Sequence, residues 1–264
     1  MDEKKASLSI RKPNKEDFSD SDTVIYTGGI SCKAVLENRP QDCRILYVNQ
    51  DKRSKDFAYI ISLAKRNHVQ VTLLGARVIQ EQFPNCGGIA LIALPRKLKK
   101  LNLQSKAHGL IIYLSGLEDP YNLGSSIRSL YAAGCSQVIL NERDWSWSNP
   151  VILKASAGAW EKMNLSIIAN EDELIEFKKL SQIPMFCASR KDPVSLFDYS
   201  FEPAVLGIIG GALRGISPKL ENACDHRICI PYGNDFRNAL DTPSAAAVFA
   251  FSWLRDNPDF VKLN

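Results

Sequence analysis

The chain has 264 residues, of which 45% are hydrophobic and 23% charged, and its formal net charge at pH 7 is +4. This length and hydrophobic content predict a folded, soluble protein of one or two domains. No run approaches the roughly 18 to 20 apolar residues that a membrane span needs, and the polar start lacks an apolar signal region. We therefore expect a cytoplasmic protein with no membrane partner. The modest net charge does not by itself identify a nucleic-acid binder.

Cysteine spacing argues against a metal centre. The seven cysteines are scattered singly, without the CxxC spacing of a zinc site or redox motif. We predict no bound metal and expect most of these thiols to behave as buried small hydrophobic groups. They are Cys32, Cys43, Cys86, Cys135, Cys187, Cys224 and Cys229.

The first half of the chain divides into an arm, a small domain and a linker. Residues 1–22 are polar and are predicted to form a flexible arm. Over residues 23–95 a small α/β domain is predicted, because strands (44–48, 69–74, 88–94) alternate with helices (32–38, 55–66, 77–82). Residues 96–108 form a basic linker that includes Lys97 and Lys100. Such a charge run is either solvated or in contact with phosphates.

Residues 109–264 are predicted to form a second, larger α/β domain. Strands are expected at 110–114, 137–140, 165–169, 184–188, 205–209 and 228–231, with helices at 125–133, 172–180 and 243–254. This alternation predicts a mostly parallel sheet flanked by helices, with ligands at the carboxyl ends of its strands. One strand runs into Gly210 and Gly211, and Thr242 and Pro243 are the expected N-cap and first residue of the last helix.

A second candidate site lies in the segment DPYNLGSSIRSLYAAG, at the junction of a strand and a helix. Asn122 is expected to cap the helix, Gly124 allows close backbone approach, and Arg128 lies one turn inside, where it could meet an anion. A capped helix with a surface arginine is the simpler interpretation of the same residues.

Three motifs in order resemble the SpoU/TrmH family of RNA ribose 2′-O-methyltransferases, in the SPOUT superfamily. The first is carried by Asn122, Gly124, Arg128 and Gly134, and the small-residue element after it by residues 156–159. The second is carried by Gly210, Gly215, Ile216 and Ser217, and the third by Ile230, Pro231, Leu240 and Ala245. Residues 23–95 are similar to the small substrate-binding domain of many members, which recognises RNA.

The resemblance implies a fold, a cofactor and a reaction. The fold is a trefoil-knotted, mostly parallel sheet, and the reaction is methyl transfer from S-adenosylmethionine to a ribose 2′-hydroxyl of rRNA or tRNA. The cofactor would be held by Leu206, Gly210, Gly215, Ile230, Leu240 and Ala245. Arg128 would grip phosphate and orient the hydroxyl, because an arginine does not readily lose its proton. Asn122, the second candidate catalytic residue, would hold the neighbouring loop or the ribose.

A rival interpretation is a knotted RNA-binding protein that has lost the reaction. Ala212 replaces a glutamate of the family pattern, Ala239 a serine and Asp241 an asparagine. Asp241 is also explained as a residue that complements the helix dipole. A dehydrogenase-like protein is poorly supported, since no GxGxxG follows the first strand.

Other residues suggest contacts with RNA and with a second copy of the chain. Arg237 is placed to touch phosphate, while Trp145 and Trp147 suit either base stacking or packing. The helix at 243–254 is apolar nearly all round, which predicts either a deep core position or a subunit interface. The family's dimers use this carboxyl-terminal helix, so a homodimer is expected.

Overall fold

The computed structural model describes residues 22–211 and 215–262. Ala212 and nearly all of the predicted arm lie outside the described residues. The chain forms two compact units. The first is described over residues 22–97 and Trp145–Glu161, and the second over Leu98–Asp144 and the described part of Lys162–Asn264.

The bounds of the elements are as follows. The strands are β1 (Val24–Thr27), β2 (Cys43–Asn49), β3 (Gln70–Leu74), β4 (Ile89–Ala93), β5 (Lys99–Lys100), β6 (Leu110–Ser115), β7 (Gln137–Asn141), β8 (Leu165–Ile168), β9 (Met185–Ala188), β10 (Val194–Ser195), β11 (Val205–Gly210) and β12 (His226–Cys229). The α-helices are α1 (Gly29–Asn38), α2 (Lys55–Arg66), α3 (Ala76–Gln82), α4 (Pro120–Ala132), α5 (Asn149–Ala155), α6 (Ala159–Lys162), α7 (Glu171–Ser181), α8 (Pro218–Ala223) and α9 (Thr242–Asp256).

The first unit is built on a mixed four-stranded sheet of order β1-β4-β2-β3. Its β4 is wholly buried and pairs antiparallel with both β1 and β2, whereas β2 and β3 are parallel. Helix α2 has the predicted bounds, because the Ser54 side chain accepts a hydrogen bond from the Phe57 amide at 3.2 Å and caps it.

A buried polar network holds the segment Trp145–Glu161 in the first unit. The Arg39 guanidinium donates two hydrogen bonds to the Glu161 carboxylate, at 2.8 and 3.0 Å, and a third to the Leu94 carbonyl at 2.9 Å. Asn149 Oδ1 accepts from the Arg96 amide at 2.9 Å and from the Trp160 indole at 3.2 Å. Because almost all of these groups are buried, each needs its partner.

The second unit is an eight-stranded sheet of order β10-β12-β9-β11-β6-β7-β8-β5 in which every neighbouring pair is parallel. The side chains of the central strand β6 are all buried, as a sheet covered on both faces requires. The predicted α/β class, with a mostly parallel sheet flanked by helices, is confirmed. The trefoil knot stays a prediction.

Two predicted helix caps are wrong. Helix α4 begins at Pro120, before the predicted residue 125, because Asp119 rather than Asn122 caps it and accepts from the Asn122 amide at 2.7 Å. Helix α9 is capped by Asp241 rather than Thr242, with Asp241 Oδ1 accepting from the Ser244 amide at 2.8 Å. In both helices the aspartate precedes the residues predicted as caps, and its carboxylate suits the positive end of the helix dipole.

Candidate active site

The carboxyl ends of three adjacent parallel strands meet at one edge of the larger sheet. Strand β9 lies between β11 and β12, and pairs with both in parallel. Their last residues are Ala188, Gly210 and Cys229. The sequence predicted that ligands bind at such an edge, and β11 does end there in the glycine turn.

A cavity of about 250 Å³ opens at this edge. Five of the six residues predicted to hold the cofactor line it together: Gly210, Gly215, Ile230, Leu240 and Ala245. Leu206 is not among the lining residues, since it lies near the start of β11 and packs in the hydrophobic core. Ala239, which stands where the family has serine, is part of the lining.

The glycine turn of the second motif leaves no room for side chains. A Cβ on Gly210 would lie 2.7 Å from the carbonyl carbon of Gly215, and one on Gly211 would lie 2.8 Å from the carbonyl oxygen of Gly116. Gly215 itself has a φ of +63°, in the left-handed region. The Gly211 amide donates to the Ser115 carbonyl at 2.7 Å. Glycine is therefore required for the backbone to approach this closely.

The opposite wall of the cavity is the loop between β12 and α9, and Arg190 holds it in place. The Arg190 guanidinium donates to the carbonyls of Arg237 at 2.5 Å and Asn238 at 2.8 Å. It also lies over the Tyr232 ring, 5.0 Å from the ring centroid. The Tyr232 hydroxyl in turn accepts from the Leu240 amide at 3.1 Å. These contacts fix the position of Leu240 beside the cavity.

The start of α9 connects the second and third motifs. The Thr242 hydroxyl donates to the carbonyl of Gly210 at 3.2 Å, and Thr242 is buried. The bond therefore joins the end of β11 to the first turn of α9. Asp241 uses its carboxylate as the helix cap.

Arg128 and Asn122 lie on α4, which packs against α9. Arg128 is exposed, and within the described ranges no carboxylate lies within ion-pair distance of it. Asn122 is half-buried, and its carbonyl accepts from the Ser126 hydroxyl at 2.8 Å. Neither side chain lines the cofactor cavity. Arg128 thus presents an unpaired cation to solvent.

The remaining predicted RNA contacts lie elsewhere on the chain. Arg237 is exposed in the loop beside the cavity, with its carbonyl held by Arg190. Lys100 is exposed in the edge strand β5, whereas Lys97 belongs to the first unit. Trp145 is buried, and Trp147 is 73% exposed. Packing therefore accounts for Trp145, and only Trp147 presents an open ring for stacking.

The lining of the cavity fits S-adenosylmethionine. Apolar side chains, including Ile209, Ile216 and Phe249, form most of its surface and suit a flat purine ring. Main-chain groups at the strand ends and in the loop offer donors and acceptors to a base edge. Arg190 is the one charged side chain among the described lining residues, so an acidic group would find a cation there.

Two structural features bear on other classes of site. Over the described ranges, no group of three or more potential metal-binding side chains occurs. Within the same ranges, none of the helices combines the length and apolarity needed to cross a membrane.

Curated relatives cover nearly the full length of the chain. An rRNA methyltransferase 1, mitochondrial, of Schizosaccharomyces pombe is 25% identical over 289 aligned positions, which cover 94% of this chain and 95% of that protein. A 23S rRNA (guanosine-2′-O-)-methyltransferase of Xanthomonas campestris is 22% identical over 228 positions, covering 83% of this chain and 91% of the relative.

Solved structures share the fold at lower identity. A crystal structure of an RNA 2′-O ribose methyltransferase has a TM-score of 0.74 at 20% identity and covers 93% of both chains. AviRb from Streptomyces viridochromogenes, solved with its cofactor AdoMet, has a TM-score of 0.74 at 17% identity, covering 94% of this chain and 96% of its own.

The family is identified from the second domain. The model of the SpoU rRNA Methylase family matches residues 109–251, which is more than half of the chain. The matched region contains the parallel sheet from β6 onward and all the described residues that line the cavity. The resemblance inferred from the three motifs is confirmed, and this chain belongs to the SpoU rRNA methylase family.

Proposed function

We propose that the protein is an RNA methyltransferase that uses S-adenosylmethionine to methylate a ribose 2′-hydroxyl. The observation that carries this function is the cavity at the carboxyl ends of β9, β11 and β12, because the second and third motifs meet in its lining. Ribosomal RNA is the proposed substrate class, since the full-length relatives are named as rRNA methyltransferases.

Each proposed residue has a distinct task. When bound, S-adenosylmethionine supplies an electrophilic methyl group on a sulfonium. Gly210, Gly215, Ile230, Leu240 and Ala245 hold it through close backbone approach and apolar contact. Arg128 binds the RNA phosphate and orients the 2′-hydroxyl, for which its exposed and unpaired guanidinium is suited. Such positioning alone lowers a reaction barrier by several kcal/mol.

Removal of the hydroxyl proton is assigned to phosphate or water. A guanidinium remains protonated at neutral pH, so Arg128 is not the base. Asp241 is occupied as the cap of α9. The Asn122 amide is bonded to the Asp119 cap, which fixes the start of α4. Arg237, exposed beside the cavity, adds a phosphate contact.

The test is transfer of radiolabelled methyl groups from S-adenosylmethionine to RNA. Ribosomal and transfer RNA from cells that lack the protein are used as separate substrates, and ribose methylation is mapped at nucleotide resolution. We expect one methylated ribose that is absent from the starting RNA. RNA binding and cofactor binding without methylation of either RNA would instead support the RNA-binding protein that has lost the reaction.

We also propose that the first unit binds the substrate RNA, as the resemblance of residues 23–95 implies. Trp147 and Lys97, both exposed in this unit, support base stacking and phosphate contact. The predicted cytoplasmic location remains a proposal, and the relative from Schizosaccharomyces pombe is a mitochondrial protein.

A homodimer through α9 is part of the proposal. Phe251 on α9 is 49% exposed, and Tyr121 and Tyr131 are exposed on α4, the helix that packs against it. Aromatic side chains of this kind are common at subunit interfaces. Light scattering at micromolar concentration should give the mass of two chains, and Phe251→Glu should give one. A wild-type monomer would contradict the proposal.

A further inference from the structure

A second cleft, with a polar lining, lies at the amino ends of three strands of the larger sheet, where β6, β7 and β8 begin. Its volume is about 370 Å³. Its lining includes the first residues of β7 and β8, Gln137 and Leu165, and the chain just before β6. Because the strands are parallel, this is the opposite edge from the cofactor cavity.

The cleft is lined by three lysines, one histidine and neutral polar side chains. Lys99, Lys100, Lys106 and His108 surround it, and none of the described lining residues is a carboxylate. The other polar lining residues are amides and hydroxyls: Asn102, Ser105, Ser136, Gln137, Asn164 and Ser166. The lysine ammonium groups supply the charged donors for an anion. The Ser105 and Ser136 hydroxyls and the Gln137 amide already donate to acceptors within the protein.

The backbone of the basic segment is ordered by the sheet. Strand β5 pairs in parallel with β8, placing Lys99 beside Ser166. Leu101, the first residue after β5, is buried in the core, and its amide donates to the Ile167 carbonyl at 2.9 Å. A segment anchored in this way is not a solvated linker, because its lysines project from a fixed main chain.

A turn after β5 carries Lys106 to the same cleft. The Asn102 carbonyl accepts from the Ser105 amide at 3.0 Å and from the Ser105 hydroxyl at 2.7 Å. The Asn102 side chain accepts from the Gln104 amide at 3.1 Å. These bonds fold the turn, so that Lys100 and Lys106 line one cleft although six positions separate them.

The lysines have no acidic partners to neutralise them. In the described part of the chain, Lys99, Lys100 and Lys106 form no salt bridge. Like charges gathered in one cleft repel one another, and a bound polyanion removes that repulsion. Phosphate oxygens accept hydrogen bonds from both lysines and neutral donors, and phosphodiesters are the anions that the proposed substrate presents in a row.

We propose that this cleft binds the phosphodiester backbone of the substrate RNA, away from the nucleotide that is methylated. The inference rests on the proposed function, because that function supplies the RNA. Its role is to hold the substrate rather than to act on the reacting atoms. It is therefore expected to affect RNA affinity and KM, with kcat unchanged.

The salt dependence of RNA binding tests the cleft. Binding of a short fluorescein-labelled oligouridine to the full chain is measured by anisotropy over a range of potassium chloride concentrations. The slope of log K against log salt is negative, and each lost phosphate contact brings it closer to zero by about 0.7 for a single strand. We expect K99Q/K100Q/K106Q to reduce the steepness of the slope by about 2 and to weaken binding about 100-fold at about 0.1 M salt. Lys106 lies outside β5, so K106Q alone should reduce the steepness by about 0.7.

The control variant K179Q/K219Q/K262Q removes the same charge from exposed lysines of the same unit that do not line the cleft. Its slope should stay close to that of the wild type, and all variants should bind S-adenosylmethionine normally if folded. Equal slope changes in the two triple variants, or no change in the cleft variant, would overturn the inference. If the wild type still transfers methyl groups, either of these slope results overturns only the role of the cleft and leaves the proposed function standing. RNA binding by the wild type without methyl transfer would count against the proposed function instead.

Discussion

Arg128 is the residue on which the proposed reaction most depends. It is exposed on α4, has no ion pair in the described ranges and does not line the cofactor cavity. Arg128→Ala should therefore lower kcat/KM for methyl transfer by at least about 100-fold, while the free energy of unfolding changes by less than about 0.5 kcal/mol. Methyl transfer, calorimetry with S-adenosylmethionine and urea unfolding are the measurements. A variant that unfolds would make Arg128 a structural residue.

Arg190 holds the loop that forms one wall of the cavity, and we expect it to affect cofactor affinity through that loop. Arg190→Met removes the two hydrogen bonds to the carbonyls of Arg237 and Asn238 and the contact with Tyr232. Bonds from a charged donor contribute about 1.5–3 kcal/mol when buried, and less at an exposed site such as this. We expect the affinity for S-adenosylmethionine to fall about 10-fold by calorimetry. Lys191→Met, at the exposed neighbouring position, is the matched control, and an equal loss in both variants would contradict this role.

The sequence predicted the backbone part of the cavity lining but not Arg190. Glycines and an apolar strand end are local signals, and they placed Gly210 and Gly215 correctly at the cavity. Arg190 binds main-chain carbonyls 47 and 48 positions away, so no side-chain pattern marks its partners. Leu206 was wrongly included among the residues predicted to line the cavity. It lies near the start of β11, away from the glycine turn, and its side chain packs in the core.

At the scale of elements, periodicity was more informative than the caps. Helix α2 was predicted with its observed bounds from its helical period alone. The Ser54 cap seen in the structure starts the helix at the same residue. The starts of α4 and α9 were misplaced because each has an aspartate cap just before the residues chosen. Strands β1, β5 and β10 were not predicted, and at four, two and two residues they are too short to show alternation.

Asp225, which directly precedes β12, connects that strand to α7 and β9, and we expect it to make the stability of the larger unit depend on pH. Its carboxylate accepts from Lys178 Nζ on α7 at 2.7 Å and from the amide of Met185 in β9 at 2.8 Å. Partial burial opposes ionisation, yet the hydrogen bonds from Lys178 and Met185 lower the pKa of Asp225 below its ordinary 3.8. A group whose pKa is lower in the folded state stabilises the fold at pH values above its pKa in the unfolded chain. This stabilisation is lost as the pH falls through the pKa of the folded state.

Asp225→Asn should therefore reduce the free energy of unfolding at neutral pH and make it less dependent on pH below about 4. Urea unfolding at a series of pH values is the measurement. Asp259→Asn serves as a control, because it removes an exposed carboxylate that has no ion pair in the described ranges. Parallel pH profiles for the wild type and Asp225→Asn would contradict the assignment.

At the scale of the whole molecule, the sequence divides the chain in linear order, whereas the structure groups Trp145–Glu161 with residues 22–97. Composition does not change at the ends of this segment, so a linear scan has no signal for the grouping. The grouping depends instead on hydrogen bonds between distant residues: Arg39 donates to Glu161, and the Arg96 amide donates to Asn149.

The pair of Arg39 and Glu161 predicts how strongly that segment stabilises the first unit. Their side chains are 10% and 0% exposed. Burial alone would lower the pKa of Arg39, but the hydrogen bonds to Glu161 raise it. Arg39→Met leaves the Glu161 carboxylate buried without this partner, and should lower the free energy of unfolding by about 3–5 kcal/mol.

Adding Glu161→Leu to Arg39→Met should recover part of that loss, because no buried carboxylate is then left without its partner. The bonds from Arg39 to Asp42, the Leu94 carbonyl and the Tyr26 hydroxyl stay lost. Tryptophan fluorescence during urea unfolding is a suitable probe, since Trp145, Trp147 and Trp160 belong to the first unit and the fourth tryptophan, Trp253, to the second. If the two substitutions were additive, the pair would not be coupled, and the segment would be held by Asn149 and packing instead. A coupling of the predicted size has a consequence for truncation, because a chain that lacks Trp145–Glu161 leaves Arg39 buried without its main partner. Residues 22–97 alone should therefore fold less stably than the same residues in the full chain.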